Sequence, residues 1–203
     1  MNFIKKLFRP FKEGWDGPLP TVVEEQDIEI IDIIDDLPKH PTRKWTKRKT
    51  SQIDSIIVHQ AISEGTFKGV ANYHVTPAED NHISKEGAPG ICYTFGVDFD
   101  GTVCQLNKLT DVVWHASNHN TKSIGILLRG NFVGPEYLPP NSVKHPNPTS
   151  EQLASLEKLL ILLIRDYNIT KDKVYGHCDL APIRKVNCPG KVAMIFLNNF
   201  KEK

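Results

Sequence analysis

Asp54–His59 reads DSIIVH, three consecutive apolar residues held between a polar pair and a histidine. A branched apolar run this short marks a strand covered on both faces. Working outward, Ser123–Leu128 (SIGILL) reads as a second buried strand and Lys173–Gly176 as a last short one. Between them lie a short helix over Gly69–Val75, stopped by Pro77, and two strands, Ile91–Val97 and Thr102–Leu106, meeting at Asp100-Gly101. A two-residue turn there sets Phe99 opposite Thr102 and Val97 opposite Cys104. Thr149 and Gln152 have capping-box spacing and open a helix over Ser150–Tyr167, with Leu153, Leu156, Leu160, Leu163 and Ile164 on its buried stripe. Val192–Phe200 reads as a closing helix. Strands and helices in this order predict an α/β fold with a mixed central β-sheet flanked by helices.

Composition removes several function classes. The 203 residues carry 25 Lys+Arg against 24 Asp+Glu, so a net charge of +1 provides no global pull towards nucleic acid or an anionic membrane. At 39% hydrophobic and 24% charged the chain is globular in character, and no apolar run approaches the ~20 residues of a membrane span. Residues 1–15 interleave Lys5, Lys6, Arg9 and Lys12 with apolar residues, so a Sec signal is not expected. No glycine-rich phosphate loop or internal repeat is present.

Charge blocks divide the first quarter from the rest. Residues 22–38 hold seven acids and no base, and residues 39–49 six bases and no acid. The acidic block fits either a helix face (Ile30, Ile33, Ile34, Leu37) or an edge strand. Residues 1–44 are therefore expected to form a charged N-terminal arm and candidate protein-docking segment, and 45–203 the main domain. The group Phe3, Ile4, Leu7, Phe8 and Phe11 among bases also fits contact with a membrane surface. Residues 135–148 contain five prolines and are expected to form a long functional loop.

Three residues able to bind a metal sit where strands run out: His59, His177 and, 11 positions later, Cys188. Two imidazoles and a thiolate leave a tetrahedral zinc one open position, the arrangement of a catalytic site. Soft sulfur with imidazole favours one Zn2+ over magnesium or calcium. The other cysteines read as core. The expected hairpin register puts Cys92 and Cys104 on opposite faces, so no bridge between them is expected.

Four segments in order, SIIVHQA, ICYTFGVDFDGTV, VVWHASNHNTKSIGILLRGNF and GHCDLAPIRKVNCPG, make residues 45–200 resemble the zinc-dependent N-acetylmuramoyl-L-alanine amidase type 2 family, which includes phage lysozyme-amidases and peptidoglycan recognition proteins. The resemblance implies hydrolysis of the amide between N-acetylmuramic acid and L-alanine of peptidoglycan. It implies that His59, His177 and Cys188 bind zinc, that Tyr93 and Lys185 are catalytic, and that His115 lies on the groove floor. Trp114 in the same segment is open to two readings, stacking on sugar or filling core. Asp179 would either orient an imidazole or cap its turn. His74 reads as structural, and His115 with His119 as loop residues rather than a metal pair.

The chain departs from the family pattern at three places. Leu127 stands where many members have a glutamate base, which shifts weight to Tyr93 and Lys185. Lys185 lies three residues before Cys188, where many cysteine-ligand members place a polar residue two before. Gln60 follows His59 where a small residue or histidine is common. The expected role is a cell-wall lytic enzyme, released by phage or carried in a particle. A cytoplasmic enzyme recycling anhydro-muropeptides and a non-catalytic recognition module are the alternatives.

Overall fold

The protein, a computed structural model, is described over residues 28–133, 145–181 and 187–202. Six strands, β1 (Ile30–Asp32), β2 (Ser55–Gln60), β3 (Phe95–Val97), β4 (Val103–Gln105), β5 (Ser123–Leu128) and β6 (Val174–Gly176), form one sheet in the order β1-β4-β3-β5-β2-β6. Only β3 with β4 is antiparallel. Helices α1 (Phe67–Val75), α2 (Ser150–Tyr167), α3 (His177–Leu180) and α4 (Lys191–Glu202) complete the described architecture, a mixed sheet flanked by helices.

Both central strands are buried along their whole length, as the unbroken apolar runs require. Alternate residues serve two cores. Ile56, Val58, Ile124, Ile126 and Leu128 pack with Leu156, Leu159, Leu160 and Leu163 of α2 and with Leu197 and Phe200 of α4. Leu127 faces the other way, towards Phe67, Val70 and Ala71 of α1. On α2 the stripe includes Leu159, which is fully buried, rather than Leu153, which is half-buried. The expected capping box is present: Thr149 Oγ1 accepts from Gln152 N at 3.0 Å, and Gln152 Oε1 from Thr149 N at 3.1 Å. Gln152 goes further, donating through Nε2 to the carbonyls of Val97 (3.0 Å) and Arg129 (2.9 Å), which stitches α2 to the ends of β3 and β5.

The structure corrects three local expectations. The hairpin register is Val97 opposite Val103 and Gly96 opposite Cys104, one residue away from the expected one. A two-residue turn of the favoured kind needs positive φ at both Asp100 and Gly101, and only Gly101 (+83°) has it. The loop is instead Phe99-Asp100-Gly101, closed by Asp98 N to Thr102 O at 2.9 Å. Opposite-face parity is therefore not what separates Cys92 from Cys104; Cys92 lies before β3 begins, and no disulfide joins any of the four cysteines. Helix α1 starts two residues early at Phe67, because Thr66 caps it through Gly69 N at 3.2 Å. Within the acidic block, Ile30–Asp32 form an edge strand, β1, parallel to β4, and Ile34–Asp36 a 3-10 turn. Ile28 and Ile30 pack on one core and Ile31 and Ile33 on the other, the alternation of a strand.

Part of the segment read as a docking arm thus lies in the sheet, and Leu37 behind it is buried. His40 N donates to Pro89 O at 3.0 Å, and the Arg43 guanidinium to Gly87 O at 2.6 Å. The aromatic–basic group at residues 3–11 and positions 135–144 of the proline-rich loop lie outside the described residues.

Candidate active site

Parallel pairing decides where the chemistry gathers. Val58 of β2 is in register with Gly176 of β6, so the next residues, His59, still paired with β5, and His177, the first of α3, lie side by side. Their ring centroids are 4.4 Å apart. Carboxyl ends of adjacent parallel strands are where such sheets hold ligands. Cys188 reaches the same point by a return of the chain. Cys178 N donates to Cys188 O at 2.8 Å, and the Gln60 amide Nε2 to the carbonyl of Asn187. The same Gln60 accepts from Phe132 N through Oε1, so one buried side chain ties the cysteine turn and the segment after β5 to β2. Its signal in the sequence was parity alone: beside His59 on a strand, residue 60 points to the opposite face.

The ligand atoms of His59, His177 and Cys188 lie within 4.8 Å of one another, and all three residues are buried. His59 Nδ1 is 3.9 Å from Cys188 Sγ. Tetrahedral zinc separates nitrogen and sulfur donors by about 3.5 Å. The donor set and its spacing therefore fit a zinc-sized ion. Asn187, one position before the cysteine, contributes its backbone carbonyl to the Gln60 clamp.

The remaining expected residues fall at different distances from this centre. Tyr93 is beside it, its ring centroid 5.1 Å from that of His59. Burial, then the Cys188 and Cys92 sulfurs, push its phenol well above the usual range, so it keeps its proton. Lys185 lies outside the described residues. His115 is not on an open groove floor: it is buried behind His59, with Nδ1 3.0 Å from His59 Nε2 and Nε2 3.1 Å from Ser123 Oγ. Burial, then the nearby Arg48 and His177, push its pKa down to about 3, so its ring is neutral. Trp114 packs edge-on against Trp45 (5.5 Å) with the Arg43 guanidinium 5.2 Å over its ring. Asp179 takes the capping role, accepting from Gly176 N at 2.9 Å. His74 is structural, accepting from Cys92 N at 3.0 Å. Leu127 is fully buried and in register with His59, so the position of the family's glutamate adjoins the ligand strand as hydrocarbon.

Arg48 was not anticipated. It is buried and donates to the carbonyls of Leu109 (2.8 Å), Asn120 (2.9 Å), Thr121 (3.1 Å) and Ser123 (2.7 Å). Burial pushes its pKa down to about 10, so it remains a cation at neutral pH. It knits the segment after His115 to the start of β5.

Fold and site together define an α/β protein with a two-histidine, one-cysteine cluster, able to hold a metal ion, at the carboxyl ends of parallel strands. Residues 49–191 match the N-acetylmuramoyl-L-alanine amidase family (Amidase_2), and the chain belongs to that family. The 1,6-anhydro-N-acetylmuramyl-L-alanine amidase AmpD of Haemophilus influenzae is 31% identical over 104 residues, 47% of this chain and 50% of that protein. The chain thus aligns with about half the length of this curated relative. Among solved structures, the N-acetylmuramoyl-L-alanine amidase LysC from Clostridium intestinale superposes with a TM-score of 0.58 at 24% identity, over 81% of this chain and 91% of its own. Drosophila peptidoglycan recognition protein SD gives 0.61 at 17% identity, over 83% and 94%. These two likenesses are of fold.

Proposed function

We propose that the protein is a zinc-dependent amidase that hydrolyses the bond between the lactyl group of N-acetylmuramic acid and L-alanine in peptidoglycan. The observation that carries this reading is the donor set of His59, His177 and Cys188, gathered within 4.8 Å in a chain of this family. Zinc held there supplies a Lewis acid and a water acidified towards a pKa of ~7. The chain's own residues do the rest. Tyr93, a phenol that keeps its proton, would hydrogen-bond the attacking water and relay the proton that the water loses to the leaving nitrogen. To Lys185, outside the described residues, the family resemblance assigns the stabilisation of negative charge on the carbonyl oxygen. With Leu127 in place of a carboxylate, no side chain at that position competes for the proton. The products are the muramic carboxylate and a stem peptide with a free N-terminal alanine.

The proposed place of action is the intact wall, as a lytic enzyme released by phage or carried in a particle. The similarity to AmpD favours a second reading, in which soluble anhydro-muropeptides are the substrate. Purified sacculi and soluble anhydro-muropeptides, digested in parallel and analysed by mass spectrometry, separate the two. Peptides with free N-terminal alanine, lost with chelator and in Cys188→Ala together with bound zinc, are expected. An intact wall beside tight muropeptide binding would instead indicate a recognition module.

A further inference from the structure

Behind His59 runs a chain of hydrogen bonds whose proton order can be read from its far end. Ser123 Oγ lies 2.7 Å from the carbonyl of His119, which can only accept, so the single hydroxyl proton is committed there. Towards His115 Nε2, 3.1 Å away, the hydroxyl oxygen must then accept, and Nε2 carries the ring proton. A neutral imidazole protonated at Nε2 is an acceptor at Nδ1. The partner of that Nδ1 is His59 Nε2 at 3.0 Å, which must therefore donate. In the neutral His59 ring this leaves Nδ1 unprotonated, and Nδ1 is the nitrogen that faces Cys188 Sγ.

Neutrality of His115 follows from its surroundings. The ring is buried, and Arg48, a buried cation, donates to the Ser123 carbonyl at 2.7 Å. A second charge on a buried ring so close to that guanidinium is strongly disfavoured. The backbone is shaped for the arrangement: a Cβ at Gly125 would fall 2.6 Å from His115 Cγ, so only glycine lets the ring lie flat on β5.

We propose that Ser123 and His115 are positioning residues that fix the proton of His59 on Nε2, so that its Nδ1 is presented bare towards the metal-binding centre. The consequence for metal affinity rests on the zinc reading above, whereas the proton order belongs to the metal-free protein. Ligand histidines are ordinarily oriented by a carboxylate or a backbone carbonyl. Here a neutral imidazole does so and adds no negative charge behind the ligand.

The test is ring-nitrogen NMR on metal-free protein labelled with 15N-histidine, the His59 signals being assigned by their loss in His59→Gln. Protons on Nε2 of both His59 and His115 are expected. Ser123→Ala should give mixed proton positions on both rings and zinc affinity, by chelator competition, about tenfold lower. His115→Leu removes the acceptor and should lose about 10- to 100-fold, whereas His115→Asn, with a carbonyl near the former Nδ1, should recover most of it. A proton on His59 Nδ1 in the metal-free protein overturns the proposal. So does Ser123→Ala with unchanged proton order and affinity within about twofold of the parent. Should His115→Leu fail to fold, the spectrum of the parent protein and Ser123→Ala decide. The expected proton order in a protein that takes up no zinc supports this proposal and overturns the function reading instead.

Discussion

Each side chain at the centre depends on a neighbour that sequence spacing does not reveal. Tyr93 is the sharpest case. Its ring lies beside His59 and its phenol is held protonated by burial, so in the proposed reaction it would supply a proton or hydrogen bond rather than charge. Tyr93→Phe should therefore lower turnover by about 100-fold or more with zinc content unchanged, measured as released N-terminal alanine per bound metal. Full turnover in that variant would exclude the role. Gln60, on the opposite face of β2, holds the turn that carries Cys188. Gln60→Ala strands the Asn187 carbonyl and the Phe132 amide in a buried setting, at a cost of about 2 kcal/mol in stability. Zinc affinity should fall by about tenfold as the Cys188 turn loosens, whereas a substitution at exposed Ile161 should change neither.

At the scale of elements, one buried amide ties α2 to two neighbouring strands of the sheet. Gln152 completes the α2 cap and donates to carbonyls of Val97 and Arg129, which belong to the ends of two different strands. Gln152→Ala should cost about 2–3 kcal/mol, read from urea unfolding, against about 1 kcal/mol for Thr149→Ala, which weakens the cap alone. The hairpin shows why turn chemistry is read poorly from a dipeptide. Asp-Gly is compatible with two loop lengths, and the choice went to three residues because Asp98 pairs with Thr102 and Asp100 accepts from Thr102 N at 2.9 Å. That single slip reverses which residues of β4 face which core. The edge strand β1 was equally ambiguous, since Ile30, Ile33, Ile34 and Leu37 satisfy a helical stripe on paper. An open edge of β4 with unpaired backbone groups is what draws the segment into the sheet.

The whole molecule carries a pH dependence unrelated to catalysis. Burial, then the nearby His82, push the pKa of His74 down to about 4 in the folded protein, against 6.5 for the ordinary side chain. The unfolded chain therefore takes up this proton first as pH falls. The His74 contribution is complete above pH 6.5, is lost progressively towards pH 4 and changes no further below that. Its size is about 3 kcal/mol. Metal-free protein should unfold at lower urea as pH drops through this window. His74→Asn, which keeps an acceptor for Cys92 N, should show a shallower slope, and equal slopes would rule the assignment out. Among the described residues no helix is long and apolar enough to cross a membrane.

The strands DSIIVH and SIGILL, the capped helix opened by Thr149, the two histidines near strand ends and the cysteine of the Cys-Pro-Gly turn were legible in the amino-acid sequence because each is written locally, in apolar periodicity, turn residues or residues beside a strand terminus. Other features were settled only when distant backbones came together. These were the register that levels His59 with His177, the Gln60 clamp on the cysteine turn, the placement of His115 behind a ligand rather than in a groove, and the edge strand next to β4. Local patterns set which segments fold into strands and helices. Parallel pairing of β2 with β5 and with β6 joins positions 68 and 118 residues apart, and the hydrogen-bond partners of buried Gln60 and His115 come together only once those strands have paired.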